Sequence, residues 1–384
     1  AKKFRFDFLN ETNRPMEITR LELNSDFRLD DWPNKAGYSV DPMKEYEDDS
    51  NIKSSDIILS KDIVNVTKFV KDGKLTWKAP KLPEGKVWTL LRMGHTTTGK
   101  QTNPPLAGIL QLEADKLSKE AARAHFNGMW NPVFERLGPD VSRKVLFANH
   151  IDSYEAGWQN WTSGMVEEFR QRNEDDIIKY LPTLTGRIID SQSETEAFQW
   201  DFKHTISAMY SENFYAELAT ACREAGLNFS SEPYGGPFNH IETGNNVNLP
   251  MMEYWWPNEV SSKYYGDPVF SGRTTGAKRI GYEALTSGEA DKFSAHPANV
   301  KPLGDKIFAS GINWFLIHVY AQQPFTDPHM APGFTCGRNG IHFDRGNTWF
   351  KKSRAWVDYL SRCQFMLREG QPVADVLYFT SDTN

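Results

Sequence analysis

No stretch of the 384-residue chain approaches the ~18 consecutive apolar residues that cross a bilayer, which excludes a helical membrane span. Blocks of like charge are missing too. The 44 basic residues are scattered among 50 acidic ones, for a net charge of −6, and leave no basic footprint for nucleic acid. Cysteine is scarce: Cys222, Cys336 and Cys363 form neither a CxxC pair nor an even framework. Cys222 and Cys363 fall on apolar faces of predicted helices, where a thiol behaves as a small hydrophobe, so cysteine does not decide the redox compartment. Residues 1–20 lack the apolar core of a signal peptide. "AKKFRFDFLN" alternates as a strand does, and the chain reads as beginning inside a domain, any leader lying upstream.

Signatures of several chemistries are absent as well. There is no GxSxG elbow, HExxH helix, P-loop or Rossmann glycine fingerprint, and "SGRTTGAKR" lacks the spacing of a phosphate loop. The 9 histidines are scattered, so zinc has no supporting motif. Several carboxylates with backbone carbonyls would suit a hard cation such as calcium better. Aromatic residues, by contrast, are plentiful: 12 Trp, 14 Tyr and 24 Phe, many in loops beside Gly and Pro. Sugar-binding clefts have this composition, as do large aromatic cores, and composition alone favours the core.

The rhythm of the chain changes near residue 106. Before it, "KFRFDFLN", "SSDIILS", "GKLTWKAP" and "KVWTLLRMGHTTTG" read as short strands separated by turn chemistry such as "KDGK" and "LPEGK". This predicts an antiparallel β-sandwich-like region over 1–105. From 106 to 384 helices alternate with short apolar strands. A helix follows "LEADKLSKEAARAHF"; another, over 211–225, places Phe214, Leu218, Cys222 and Ala225 on one face and stops at Gly226. A third places Trp356, Leu360, Cys363 and Leu367 in register before Gly370. The strands are "KVLFANH", "LNFSSEP", "LPMMEYWW", "KRIGYEALTS", "NWFLIHVYAQQP" and "ADVLYFTSD". Alternation of this kind gives parallel strands with helical crossovers, in a doubly wound sheet or a barrel. Six strands fall two short of an eight-stranded barrel, which points to a (β/α)8 TIM-type barrel that is incomplete in this chain, its first strands upstream of residue 1.

In parallel α/β folds the ligand sits at the carboxyl ends of the strands. That edge carries Asp152 and Glu155 after "VLFANH", Glu232 after "LNFSS", Glu253 in "PMMEYWW", Glu283 in "IGYEALTS" and His318 in "FLIHVY". Each has a plain alternative. Asp152 would serve as a turn or helix cap, Glu232 would brace the "PYGGP" turn, and His318 would be a satisfied core histidine. Trp158 and Trp161 suit loop packing and sugar stacking equally. Glu253, flanked by Met252 and Tyr254, is hard to reconcile with a solvated surface, and Glu283 is hardest to explain structurally. A carboxylate near a core is costly unless it is paired, bonded or used, so acids after four of six strands point to carboxylate chemistry, most commonly glycoside hydrolysis.

At these residues the chain resembles glycoside hydrolase family 106, the α-L-rhamnosidases. The resemblance runs through "WTLLRMGHTTTGKQTNPP", "HIDSYEAGWQNWT", "YLPTLTGRI", "PMMEYWW", "YEALTS", "GINWFLIHV" and "GIHFDRGNTWF" in that order. It implies a large periplasmic or secreted bacterial enzyme with a (β/α)8 barrel flanked by β-sandwich domains. It further implies inverting hydrolysis of terminal α-L-rhamnose in oligo- or polysaccharides, assisted by calcium. The two catalytic glutamates fall on Glu155 in "DSYE", assigned as general acid, and Glu283 in "YEALTS", assigned as general base, with the roles exchangeable at this level. Asp152 and Glu253 would hold the calcium or the substrate, and Glu232, Trp158 and His318 would contact the substrate. The chain departs from the family at Gln322-Gln323-Pro324, where a second histidine is common, and at Trp314, where a basic residue is common. Both departures bear on sugar specificity. Inversion requires the acid and base to stand roughly 6.5–9.5 Å apart. Two other readings remain: a non-catalytic carbohydrate-binding fragment, or a barrel glycosidase acting on another sugar, for instance with retention.

Overall fold

The computed structural model describes residues 27–38, 52–102, 108–109, 111–257, 267–288, 293–320, 322–331, 333–334 and 339–376. In chain order these hold α1 (Trp32–Lys35), β1 (Ile57–Ile58), β2 (Val70–Lys71), β3 (Lys74–Leu75), α2 (Lys119–Leu137), α3 (Pro139–Val145) and β4 (Ala148–Ile151). Then come α4 (Met165–Asn173), α5 (Ile177–Tyr180), β5 (Ile188–Ile189), α6 (Gln192–Met209), α7 (Ala216–Glu224), β6 (Asn228–Ser231), α8 (His240–Gly244) and β7 (Leu249–Trp256). The last are α9 (Asp267–Thr275), β8 (Gly281–Ser287), α10 (Pro297–Ala309), β9 (Trp314–Ile317) and α11 (Arg354–Glu369).

Five strands form one parallel sheet in the order β4-β6-β7-β8-β9. Within it each strand lies beside its successor, with helices between, which is the winding of a barrel and curls the sheet into half of one. Five of the six strands read from the sequence are therefore present, and "ADVLYFTSD" lies largely outside the described residues. The strands are held by packed helices on either side of β7. On one side Phe198, Phe202 and Ile206 of α6 sink a stripe into a core shared with Phe126, Phe169, Leu218 and Phe229. Val300, Leu303 and Ile307 of α10 pack with Tyr282, Trp356 and Leu360 on the other side. Removing a ring such as Phe202, which is wholly buried, would cost about 3–5 kcal/mol.

Several local expectations shift. The helix expected from "LEADKLSKEAARAHF" starts only at Lys119, because the Ser118 side chain caps it by accepting from Ala121 N–H. Residues 112–117 are instead a strap. Its Asp115 carboxylate accepts from Thr162 Oγ1 at 2.7 Å and from Gln159 Nε2, and Lys116 N–H donates to Gln159 Oε1 at 3.1 Å. The loop after β4 is thereby tied down. The helix expected over 211–225 is the end of a longer one, since α6 runs through a π-helical turn, Tyr210–Tyr215, into α7. The two-residue β5 was not visible in the sequence, being too short for periodicity to register.

The β-sandwich-like region over 1–105 is not seen among the described residues. "SSDIILS" supplies β1, which pairs in parallel with β5 through Ile57↔Ile188, and "KDGK" turns the β2–β3 hairpin. "KVWTLLRMGHTTTG" holds no strand, and Val87 and Leu90 are exposed. "KFRFDFLN" and Cys336 lie outside the described residues. Among the described residues no helix is long and apolar enough to cross a membrane.

Candidate active site

Register decides which side chains meet. Ile151 pairs with Ser231, and Glu232 N–H donates to Ile151 C=O at 3.1 Å, so Asp152 and Glu232 leave neighbouring strands together. Glu253 and Glu283 are register partners on β7 and β8, and Glu283 pairs with Leu316 of β9, one step before His318 on the same face. Side chains at partnered positions of a parallel sheet share a face, and alternate residues share it along each strand. The sequence-predicted acids and His318 thus gather at the carboxyl edge of the half-barrel, beneath the tied-down loop that carries Glu155. Tyr154 fixes the root of that loop: its N–H donates to Tyr234 C=O at 3.1 Å, and its hydroxyl lies 2.8 Å from that of Tyr210. The π-helical turn presents Tyr210, in keeping with the tendency of such turns to occur near functional sites.

Asp152, Glu232 and Glu283 each offer one carboxylate oxygen, and these three atoms lie within 4.8 Å of one another. Asp152 is exposed, Glu283 half-buried and Glu232 fully buried. Oε2 of Glu232 accepts the Tyr234 hydroxyl at 2.5 Å, and its Oε1 has no hydrogen-bond partner among the described residues. Burial pushes the Glu232 carboxyl well above the usual range, and the nearby Glu283, Asp152 and Glu253 add to the rise against the Tyr234 hydrogen bond. Glu253 is pushed up to about 7 by burial, then by the charge of Glu283, with Asp152 and Glu155 contributing. Glu283 is raised by burial, opposed by the Thr286 hydrogen bond, and raised further by Asp152 and Glu155. Glu155 is exposed on the loop after β4, and its charge adds to the rise of both Glu253 and Glu283.

His318 lies with Nδ1 3.3 Å from Glu283 Oε1 and 3.1 Å from Thr286 Oγ1, and burial lowers its pKa, favouring the neutral ring. Trp158 is half-buried on the loop after β4. Its companion Trp161 packs on Phe202, ring centroids 6.2 Å apart. Trp314 opens β9 opposite Gly281, one layer below the acids; a side chain at Gly281 would strike Met251 and Trp314. Asp152 and Glu253 were the residues expected to hold a cation; the carboxylates whose oxygens gather within reach of one ion are those of Asp152, Glu232 and Glu283, and Glu232 leaves β6 next to Asp152. Thr286 and Tyr234 were missed. Thr286 is three residues from Glu283, a spacing that an unbroken strand would put on the opposite face.

A cavity of about 920 Å³ lies on the other side of the loop after β4, between Tyr154, Ala156 and Trp161 of that loop, Lys116 of the strap, and residues 93–100. None of the strand-end acids lines it.

A putative beta-glucuronidase from Formosa agariphila is 38% identical over 337 residues, covering 87% of this chain and 28% of that protein. The structure of a rhamnosidase from Novosphingobium sp. PP1Y superposes with a TM-score of 0.77 over 91% of this chain and 34% of its own, at 24% identity, and shares the fold. The chain thus spans about a third or less of either protein's length. The family model for glycoside hydrolase family 106, described as alpha-L-rhamnosidase, matches residues 4–384, and the chain belongs to that family.

Proposed function

We propose that this chain carries the acid–base machinery of a glycosidase that removes terminal α-L-rhamnose from oligo- or polysaccharides with inversion, in the periplasm or outside the cell. The observation that carries the reading is the convergence of Asp152, Glu155, Glu232, Glu253 and Glu283 on one strand-end mouth beside a neutral His318. In this scheme Glu155, on the loop at the rim, gives its proton to the departing glycosidic oxygen. Glu283, deeper and held by Thr286, takes a proton from the water that attacks the opposite face of the sugar. Glu253 and His318 bind sugar hydroxyls across the floor, and Trp158 offers an apolar face at the rim.

The donor set fits a hard cation. Carboxylate oxygens of Asp152, Glu232 and Glu283 lie within 4.8 Å of one another, close enough for one ion with oxygen ligands at roughly 2.3–2.6 Å, and buried Glu232 has one oxygen without a hydrogen-bond partner among the described residues. Asp152 and Glu232 would hold calcium there. Bound calcium would orient sugar hydroxyls and offset the repulsion among the carboxylates. Glu155→Gln and Glu283→Gln in the full-length protein should each lower release of rhamnose from an aryl α-L-rhamnoside at least ~10²-fold. Near-normal turnover in either variant removes that residue from the scheme.

The name of the 38%-identical relative favours a second reading, a β-glucuronide substrate. The principal charges acting on Glu232, Glu253 and Glu283 are other carboxylates, which would repel a uronate placed in the same subsite. Release from an aryl β-D-glucuronide without release from the rhamnoside would decide for the second reading.

A further inference from the structure

β8 is not a regular strand. Its pairing with β7 steps from Glu253↔Glu283 to Trp255↔Thr286, so β8 spends one residue more than its partner over the same span. The extra residue falls at Leu285, whose φ of 68° is a left-handed conformation that leucine rarely adopts. The Tyr282 hydroxyl stabilises it by accepting Leu285 N–H at 2.9 Å. Because of the bulge, Thr286 is turned to the same side as Glu283, where a regular alternation would point it away. Thr286 is fully buried, and its hydroxyl donates to Glu283 Oε1 at 2.8 Å. A hydroxyl has one hydrogen. Having given it to Glu283, Thr286 Oγ1 accepts from His318 Nδ1 at 3.1 Å, which sets the proton of the neutral imidazole on Nδ1.

We propose that Thr286 is a positioning residue for the Glu283 carboxylate, delivered by the β8 bulge and fixed in turn by His318. The chain Nδ1–H to Oγ1–H to Oε1 engages one carboxylate oxygen, and Oε2 takes no part in it. No bond is made or broken; the hydroxyl selects one orientation of a group that would otherwise rotate. The proposal rests on Glu283 being the base, and the test separates the two claims.

In the full-length protein, Thr286→Val keeps the shape and removes the hydrogen bond, whereas Thr286→Ser keeps the hydroxyl and removes the methyl group. The geometry predicts that Thr286→Val lowers kcat about 10- to 100-fold with KM changed less than about threefold, and that Thr286→Ser recovers most of kcat. Thermal denaturation of each variant, alongside kinetics, reports folding separately. A Val variant with undiminished kcat overturns the proposal when Glu283→Gln is inactive. Equal loss in Val and Ser variants overturns it too, since the hydroxyl would then not be the group that matters. A Glu283→Gln variant of normal activity discards instead the assignment of the base.

Discussion

On the flank of the mouth built by β4 and β6, Glu232 is fully buried beside an exposed Asp152, and one of its oxygens has no hydrogen-bond partner among the described residues. On the flank built by β7, β8 and β9, Glu253 and Glu283 are half-buried, and Glu283 is held by a threonine hydroxyl with an imidazole behind it. The same residue type sits in two different environments. A buried carboxylate with an idle oxygen is suited to a cation, which repays its desolvation; a half-buried one steered by a neutral donor is suited to exchanging protons with solvent or substrate. The first flank uses plain strand ends. The second needs a bulge.

The sharpest way to break this contrast is to remove the charges that the two roles require. Glu155→Gln and Glu283→Gln are expected to lose at least ~10²-fold in turnover at unchanged fold, read by aryl rhamnoside hydrolysis and circular dichroism. Glu232→Gln should act through metal instead. If Glu232 helps hold calcium as proposed, calcium about 100-fold above its Kd should stabilise the wild-type protein by about 2.7 kcal/mol, whereas Glu232→Gln should gain little and stay as stable as the wild type after chelation. An equal calcium-induced rise in Tm for both proteins would falsify the cation role of Glu232.

Smaller effects sharpen the second flank. Tyr282→Phe leaves the buried Leu285 N–H unpaired and should cost about 1–3 kcal/mol, measured by urea unfolding; no change in stability would mean that the bulge holds itself. Proton linkage gives the last test. Glu253 is raised from 4.5 to about 7, so between those values the folded state binds more protons than the unfolded one. Its contribution to stability is therefore present below about pH 4.5 and is lost as pH rises through about 7. In calcium-free protein the pH profile of Tm should fall across that window, and Glu253→Gln should flatten it.

Much of the site was legible in the chain because strand periodicity is local. Glu232, Glu253 and Glu283 stand at the ends or along the inward rows of short apolar runs, and register then brings them together. His150, on the same row as Asp152 and with Nδ1 3.1 Å from Ser230 Oγ, was within reach of the same rule and was overlooked. Thr286 was not within reach, because the bulge that turns it inward comes from pairing with β7 and from the Tyr282 hydroxyl, neither of which leaves a pattern in "YEALTS". The strap at 112–117 looked like helix because its charges and apolar residues have helical spacing, but the contacts of Asp115 with Thr162 and Gln159 outweigh a weak propensity.

The winding of strands and helices, the row of acids at the strand ends and the family could all be read along the chain, since they depend on residue order and on alternation along single elements. Which acids meet, which oxygen of Glu232 is idle and how Glu283 is held depend on the folded arrangement. Burial and charge repulsion are sums over neighbours in space, and those neighbours come from strands far apart in the chain.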